Sequence, residues 1–83
     1  MGIIKVYVLE KENANDEFAI ITNKPYSDNE YIKKDDLILE YETSKANFEI
    51  RAEVSGYIKY YFSVDEEVNY GDKILEIHDS IAG

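Results

Sequence analysis

Cysteine is absent from this 83-residue chain. Its absence excludes a disulfide framework, a thiolate zinc site and a cysteine nucleophile. Histidine occurs once, at His78, so a multi-histidine metal centre is excluded as well. Proline occurs once, at Pro25, and glycine only at 2, 56, 71 and 83. Positive charge is scarce: nine basic residues stand against eighteen acidic ones, a formal net charge of −9. A polyanion of this size repels nucleic-acid phosphates and anionic lipid, so neither nucleic acid nor membrane is expected as a partner. Apolar runs extend over only a few residues, far short of the roughly 20 that a membrane-spanning helix needs. Residues 1–20 lack the basic and apolar stretches of a secretion signal. Together these absences predict a soluble, acidic, cytoplasmic protein.

What is present suits a small globular domain. Hydrophobic residues make up 45% of the chain and include eight tyrosines and three phenylalanines, which a disordered tail would not carry. The length predicts a single domain over 1–83 with a thin core, burying roughly 60–65% of the unfolded surface. No 3.6-residue period persists over three turns, whereas alternation with period two is clear. Phe48, Ile50, Ala52 and Val54 alternate with charged residues, and Ile58, Tyr60, Phe62 and Val64 repeat the pattern. Ile4, Val6 and Val8 alternate near the start, and Phe18 and Ile20 more weakly.

The pattern predicts strands near 3–10, 17–22, 37–42, 47–54, 57–63 and 73–78, with short ones near 31–33 and 67–69. Asn13-Ala14-Asn15-Asp16 and Ser27-Asp28-Asn29-Glu30 read as turns. Many short strands predict an all-β sandwich or barrel. The predicted core is Val6, Val8, Phe18, Ile20, Ile32, Leu37, Leu39, Phe48, Ile50, Ala52, Val54, Ile58, Val68, Leu75 and Ile77, buried between two sheets. Gly56 is expected to start a strand where a Cβ would crowd a turn or a neighbouring backbone.

An internal repeat adds to this. The segment from Ile32 through Asp36-Leu37-Ile38-Leu39-Glu40 matches the segment from Val68 through Asp72-Lys73-Ile74-Leu75-Glu76, 36 positions on. Two copies fit a fold with similar halves about a pseudo-twofold axis.

Strand-like segments flank Glu42-Thr43-Ser44-Lys45-Ala46 with no glycine or proline between them, which predicts a tight hairpin. Without Gly or Asn at the tip a primed turn is disfavoured and a type I turn is expected. A lysine at such a tip projects its ammonium into water. That is poor geometry for a catalytic lysine and good geometry for one that another enzyme must reach.

Glu42-Thr43-Ser44-Lys45-Ala46 resembles the Glu-Thr-Asp-Lys-Ala attachment motif of lipoyl domains and is similar to the Glu-Ser-Val-Lys-Ala motif of the glycine-cleavage H-protein. Asp36-Leu37-Ile38-Leu39-Glu40 resembles the family's Gly-Asp-x-Leu-x-Glu segment, with Asp35 where glycine is usual. Gly56 resembles the family's glycine about eleven residues after the modified lysine, and the stretch from Val68 through Gly71-Asp72-Lys73-Ile74-Leu75 resembles its closing Val-x-x-Gly-x-x-Leu segment. The resemblance spans about residues 17–78. It implies the lipoyl/biotinyl hammerhead, a flattened β-barrel of two four-stranded antiparallel sheets with pseudo-twofold symmetry.

It further implies a non-catalytic carrier domain with lipoate in amide linkage to Lys45, moving acyl groups or electrons between active sites. Glu42, Thr43, Ser44 and Ala46 would shape the tip and its recognition, with Gly56 and Gly71 structural. The implied partners are a lipoate ligase or lipoyl transferase and the components of a multienzyme complex. Ser44 stands where lipoyl domains usually carry Asp, and the Gly-Asp turns before two strands are here Asn29-Glu30 and Asp65-Glu66.

Two other readings stay open. One is an unmodified lipoyl-like docking module fused to a larger biosynthetic enzyme such as an acyltransferase. The other is a biotin carrier, disfavoured because biotinyl domains carry Met-Lys-Met where this chain has Ser44-Lys45-Ala46.

The remaining chemistry-bearing residues read as structural. Glu40 and Glu42 share a strand face and are expected to be solvated. The carboxylates Asp35, Asp36, Asp65, Glu66, Glu67 and Asp72 lack the spacing of a calcium loop, so no metal site is expected. His78 has no nucleophile to activate and is expected at the surface. Tyr26, Tyr31, Tyr57, Tyr61 and Tyr70 could mark a protein contact.

Overall fold

The computed structural model describes residues 2–10 and 18–81. Among them are eight strands: β1 (Ile3–Val8), β2 (Phe18–Asn23), β3 (Tyr31–Ile32), β4 (Leu37–Glu42), β5 (Asn47–Arg51), β6 (Gly56–Tyr60), β7 (Glu67–Asn69) and β8 (Lys73–His78). The expected turn at 13–16 lies outside the described residues. Each expected strand is present. β5 is shorter than the expected 47–54: it ends at Arg51, and Ala52 beyond it still exchanges backbone bonds with the turn before β4, its N–H donating to the Asp36 carbonyl and its carbonyl accepting from the Asp35 N–H, both at 2.8 Å.

All pairings are antiparallel. Sheet A has the order β1-β8-β6-β3 and sheet B the order β5-β4-β2-β7. Exchanging each strand with the one four places along the chain converts one sheet into the other. The flattened two-sheet barrel is therefore pseudo-twofold symmetric, and the sequence repeat is its visible trace.

The symmetry extends to individual hydrogen bonds. At Ser27–Glu30 and Ser63–Glu66 the serine N–H donates to the glutamate Oε1, at 2.7 and 2.9 Å. The glutamate N–H returns to the serine carbonyl at 3.1 Å in both. In the following turns Lys33 and Asn69 donate N–H to the carboxylates of Asp36 and Asp72, at 2.9 and 3.2 Å. Each of the four turns has one residue with a left-handed backbone: Asn29 (φ 70°), Asp65 (73°), Asp35 (76°) and Gly71 (95°). Asn and Asp tolerate that conformation better than other non-glycine residues, so the turns survive with glycine in only one of them. Gly56 answers a different need. A Cβ there would stand 2.6 Å from the His78 carbonyl oxygen and 2.6 Å from Ile77 Cγ2.

The core lies between the sheets: Tyr7, Leu9, Ala19, Ile21, Ile32, Ile38, Leu39, Tyr41, Ala52, Ile58, Tyr60, Val68, Ile74, Leu75 and Ile77. It corrects the expectation in two strands. Val6, Val8 and Phe18 are 40%, 44% and 41% exposed, and Ile20 is half-buried. Tyr7 and Leu9, and Ala19 and Ile21, face inward instead. Both strands carry apolar residues on both faces, so alternation alone did not set their phase. Cross-strand pairing does: Tyr7 pairs with Leu75, Ala19 with Val68 and Ile21 with Tyr41, all buried. In β4 a register irregularity between Leu37 and Leu39 buries the consecutive Ile38 and Leu39 and leaves Leu37 half-buried. Phe48 and Ile50 are only half-buried, since β5 is an edge strand, and Val54, in the turn after it, is half-buried as well.

Tyr60 donates its hydroxyl to the Ile38 carbonyl at 2.6 Å, and burial pushes its phenol up to about 12.

Candidate functional site

The sequence motif folds as the hairpin joining β4 to β5. Glu42 pairs with Asn47, leaving Thr43, Ser44, Lys45 and Ala46 as a four-residue loop. The Thr43 N–H donates to the Ala46 carbonyl at 2.9 Å. None of the four has a positive φ, which excludes the primed and type II turns and agrees with the expected type I geometry.

Thr43 holds the loop through its side chain. Its Oγ1 accepts the N–H of Lys45 at 3.2 Å and that of Ala46 at 3.4 Å. A β-branched residue with one favoured rotamer thus braces the loop that carries the lysine. This bracing was not read from the sequence, although a hydroxyl residue opening a tight turn is the signal for it. Lys45 is exposed and, among the described residues, makes no ion pair. Its ammonium is presented to solvent on a loop closed by hydrogen bonds of its own.

The surroundings are acidic. Glu42 is exposed. Glu40 is half-buried and accepts from Asn23 Nδ2 at 2.7 Å. Glu49 faces Glu40 across the β4–β5 ladder and pairs with Arg51 at 3.2 Å. β2 runs along the other side of β4, with Ile20 opposite Glu42.

The opposite end of the barrel shows what the tip would be if open. The Asp79 N–H donates to the Gly2 carbonyl at 3.0 Å, the counterpart of the Thr43–Ala46 bond. Asp79 Oδ1 accepts from the Gly2 N–H at 2.7 Å. Gly2 and Asp79 therefore lie at the far end of a body 38 × 20 × 19 Å in extent.

A family model described as biotin-requiring enzyme, covering biotin/lipoyl attachment domains, matches residues 16–77. The chain belongs to the biotin/lipoyl attachment domain family. Neither a search of curated proteins nor one of solved structures returned a match. Members of this family are carrier domains, typically non-catalytic, that bear lipoate or biotin covalently on a lysine and meet attachment ligases and components of multienzyme complexes. The hairpin offers what such a group needs: a primary amine clear of the fold on a loop closed by its own hydrogen bonds. Gly56 and Gly71 lie outside the tip, where one admits β8 against β6 and the other turns the chain before β8.

Proposed function

We propose that the chain is a lipoyl carrier domain with Lys45 as its attachment residue. The observation that carries this reading is the exposed Lys45 within Glu42-Thr43-Ser44-Lys45-Ala46 on a hairpin tip braced by Thr43. Lipoate is favoured over biotin because Ser44 and Ala46, not methionines, flank the lysine. Attachment joins Nζ to an activated lipoyl carbonyl. The amide bond forms, the activating group leaves, and the ammonium nitrogen gives up two of its three protons, keeping one as the amide N–H. The lysine charge is lost. The bound dithiolane supplies reversible acyl and electron transfer. The protein's part is presentation: Thr43 holds the loop, and Glu42, Ser44 and Ala46 give it a readable shape. Tethering makes each visit to a neighbouring active site intramolecular, at an effective concentration of order millimolar.

Intact mass after co-expression with a lipoate ligase and lipoate, beside Lys45→Arg, tests the proposal. The expected result is a lipoyl-sized increase in the lysine form alone. A biotin-sized adduct with biotin ligase overturns the choice of cofactor. No adduct on the folded domain with either ligase overturns the carrier reading and favours an unmodified docking module.

A further inference from the structure

We infer that Phe18 and Ile20, on the outer face of sheet B, form the apolar contact by which the enzyme that acylates Lys45 grips the domain. The inference rests on the carrier reading above. β2 is an inner strand of sheet B, with Ala19 and Ile21 buried, so Phe18 and Ile20 point out of the barrel. Ile20 sits between Glu42 on β4 and Glu67 on β7, and Phe18 lies opposite Asn69. Continuing the β2–β4 register by two residues brings Phe18 level with the Thr43–Ala46 loop. The apolar strip therefore runs up the sheet and ends beside the lysine that a ligase must engage.

Phe18, 41% exposed on the water side of a strand, leaves aromatic surface that a partner can cover, and an aromatic anchor at a protein contact is among the most effective kinds. Around the strip stand the outward carboxylates Glu40, Glu42 and Glu67. They fix the chemistry of the partner as an apolar pocket rimmed by basic side chains.

Sheet A exposes aliphatic Ile4, Val6 and Val8 along its edge strand β1, and no phenylalanine among the described residues. Its most exposed aromatic, Tyr31, lies in the cross-strand row that runs through Tyr57 and His78 to Ile3, at the end remote from Lys45. An enzyme closed over the tip has no need of it.

The test is steady-state acylation of Lys45 by whichever ligase loads the wild type, with its free acid and ATP. Wild type, Phe18→Ala, Glu67→Lys and Tyr31→Ala are compared, each first checked for folding by thermal melting. Phe18→Ala is expected to lower kcat/KM at least about tenfold, almost wholly through KM. Glu67→Lys, an exposed strand position that the fold tolerates, is expected to raise KM as well, and Tyr31→Ala to match the wild type. If wild type is loaded and folded Phe18→Ala and Glu67→Lys are loaded at the same kcat/KM, this surface assignment is wrong and the carrier reading stands. An equal fall in Tyr31→Ala also overturns it. If wild type itself accepts no adduct, both fall together.

Discussion

Glu76 lies on the outward side of β8, paired with Val6 and Lys59, yet it is only 2% exposed. Three donors enclose it. Lys73 Nζ is 2.6 Å from Oε2, the Tyr61 hydroxyl donates to Oε1 at 2.7 Å, and His78 Nε2 is 2.9 Å from Oε1. Lys73 also sits over the Tyr61 ring, 4.4 Å from its centre. Burial alone would raise the Glu76 carboxyl. The hydrogen bonds from Lys73, Tyr61 and His78 outweigh it and bring the pKa from 4.5 to about 2. A carboxyl held below its unfolded value stabilises the fold above that value and loses its contribution as the pH falls through the folded one. Wild type should therefore exceed Glu76→Gln by about 1–3 kcal/mol near pH 7. In chemical denaturation the difference should shrink between pH 4.5 and about 2. A pH-independent difference would mean that the Glu76 carboxyl titrates alike in the folded and unfolded chain, and a difference near zero that Gln serves the three donors as well as Glu does. Gly56→Ala belongs at the same scale. Its Cβ meets backbone at 2.6 Å, so a loss of about 1–3 kcal/mol is expected in the same assay.

The repeated turns allow an experiment within one molecule. Asp35 and Gly71 are symmetry mates with φ of 76° and 95°. Asp35→Gly should stabilise by about 1 kcal/mol, and Gly71→Ala should destabilise by a similar amount, since nothing lies within 4 Å of the added Cβ and only backbone conformation changes. Opposite shifts in thermal midpoint would confirm that the two turns share one geometry. The β4–β5 hairpin makes a different prediction. Thr43→Val keeps the branched shape and removes the acceptor for the Lys45 and Ala46 amides. Amide exchange at those two positions should quicken, while global stability changes by no more than about 1 kcal/mol because the loop is open to water.

Across the whole molecule, a charge of −9 on 83 residues makes the folded state repel itself. The melting temperature should rise as salt is raised from about 0.01 M to 0.15 M, where the screening length falls to about 8 Å. An unchanged midpoint would show that local pairs such as Lys5–Glu53, at 3.6 Å, already offset the repulsion. Lys45 stands at one end and the Gly2–Asp79 bonds close the other, so a contact made near Gly2 leaves the lysine tip clear.

Local features were legible in the amino-acid order. Period-two alternation located the strands, the 36-position repeat announced the twofold, and Lys45 between two adjacent strands had to be at a hairpin tip. Each depends on residues close in sequence or on a pattern repeated along it. The phase of β1 and β2 was not legible, because Val6 and Val8 compete with Tyr7 and Leu9, and Phe18 and Ile20 with Ala19 and Ile21, for the same core. Leu75, Val68 and Tyr41, supplied from distant strands, decided between them. The same holds for Glu76. Its burial depends on Tyr61, just past β6, reaching across to β8, so only the packed barrel could turn one acidic residue among eighteen into a buried, triply bonded one.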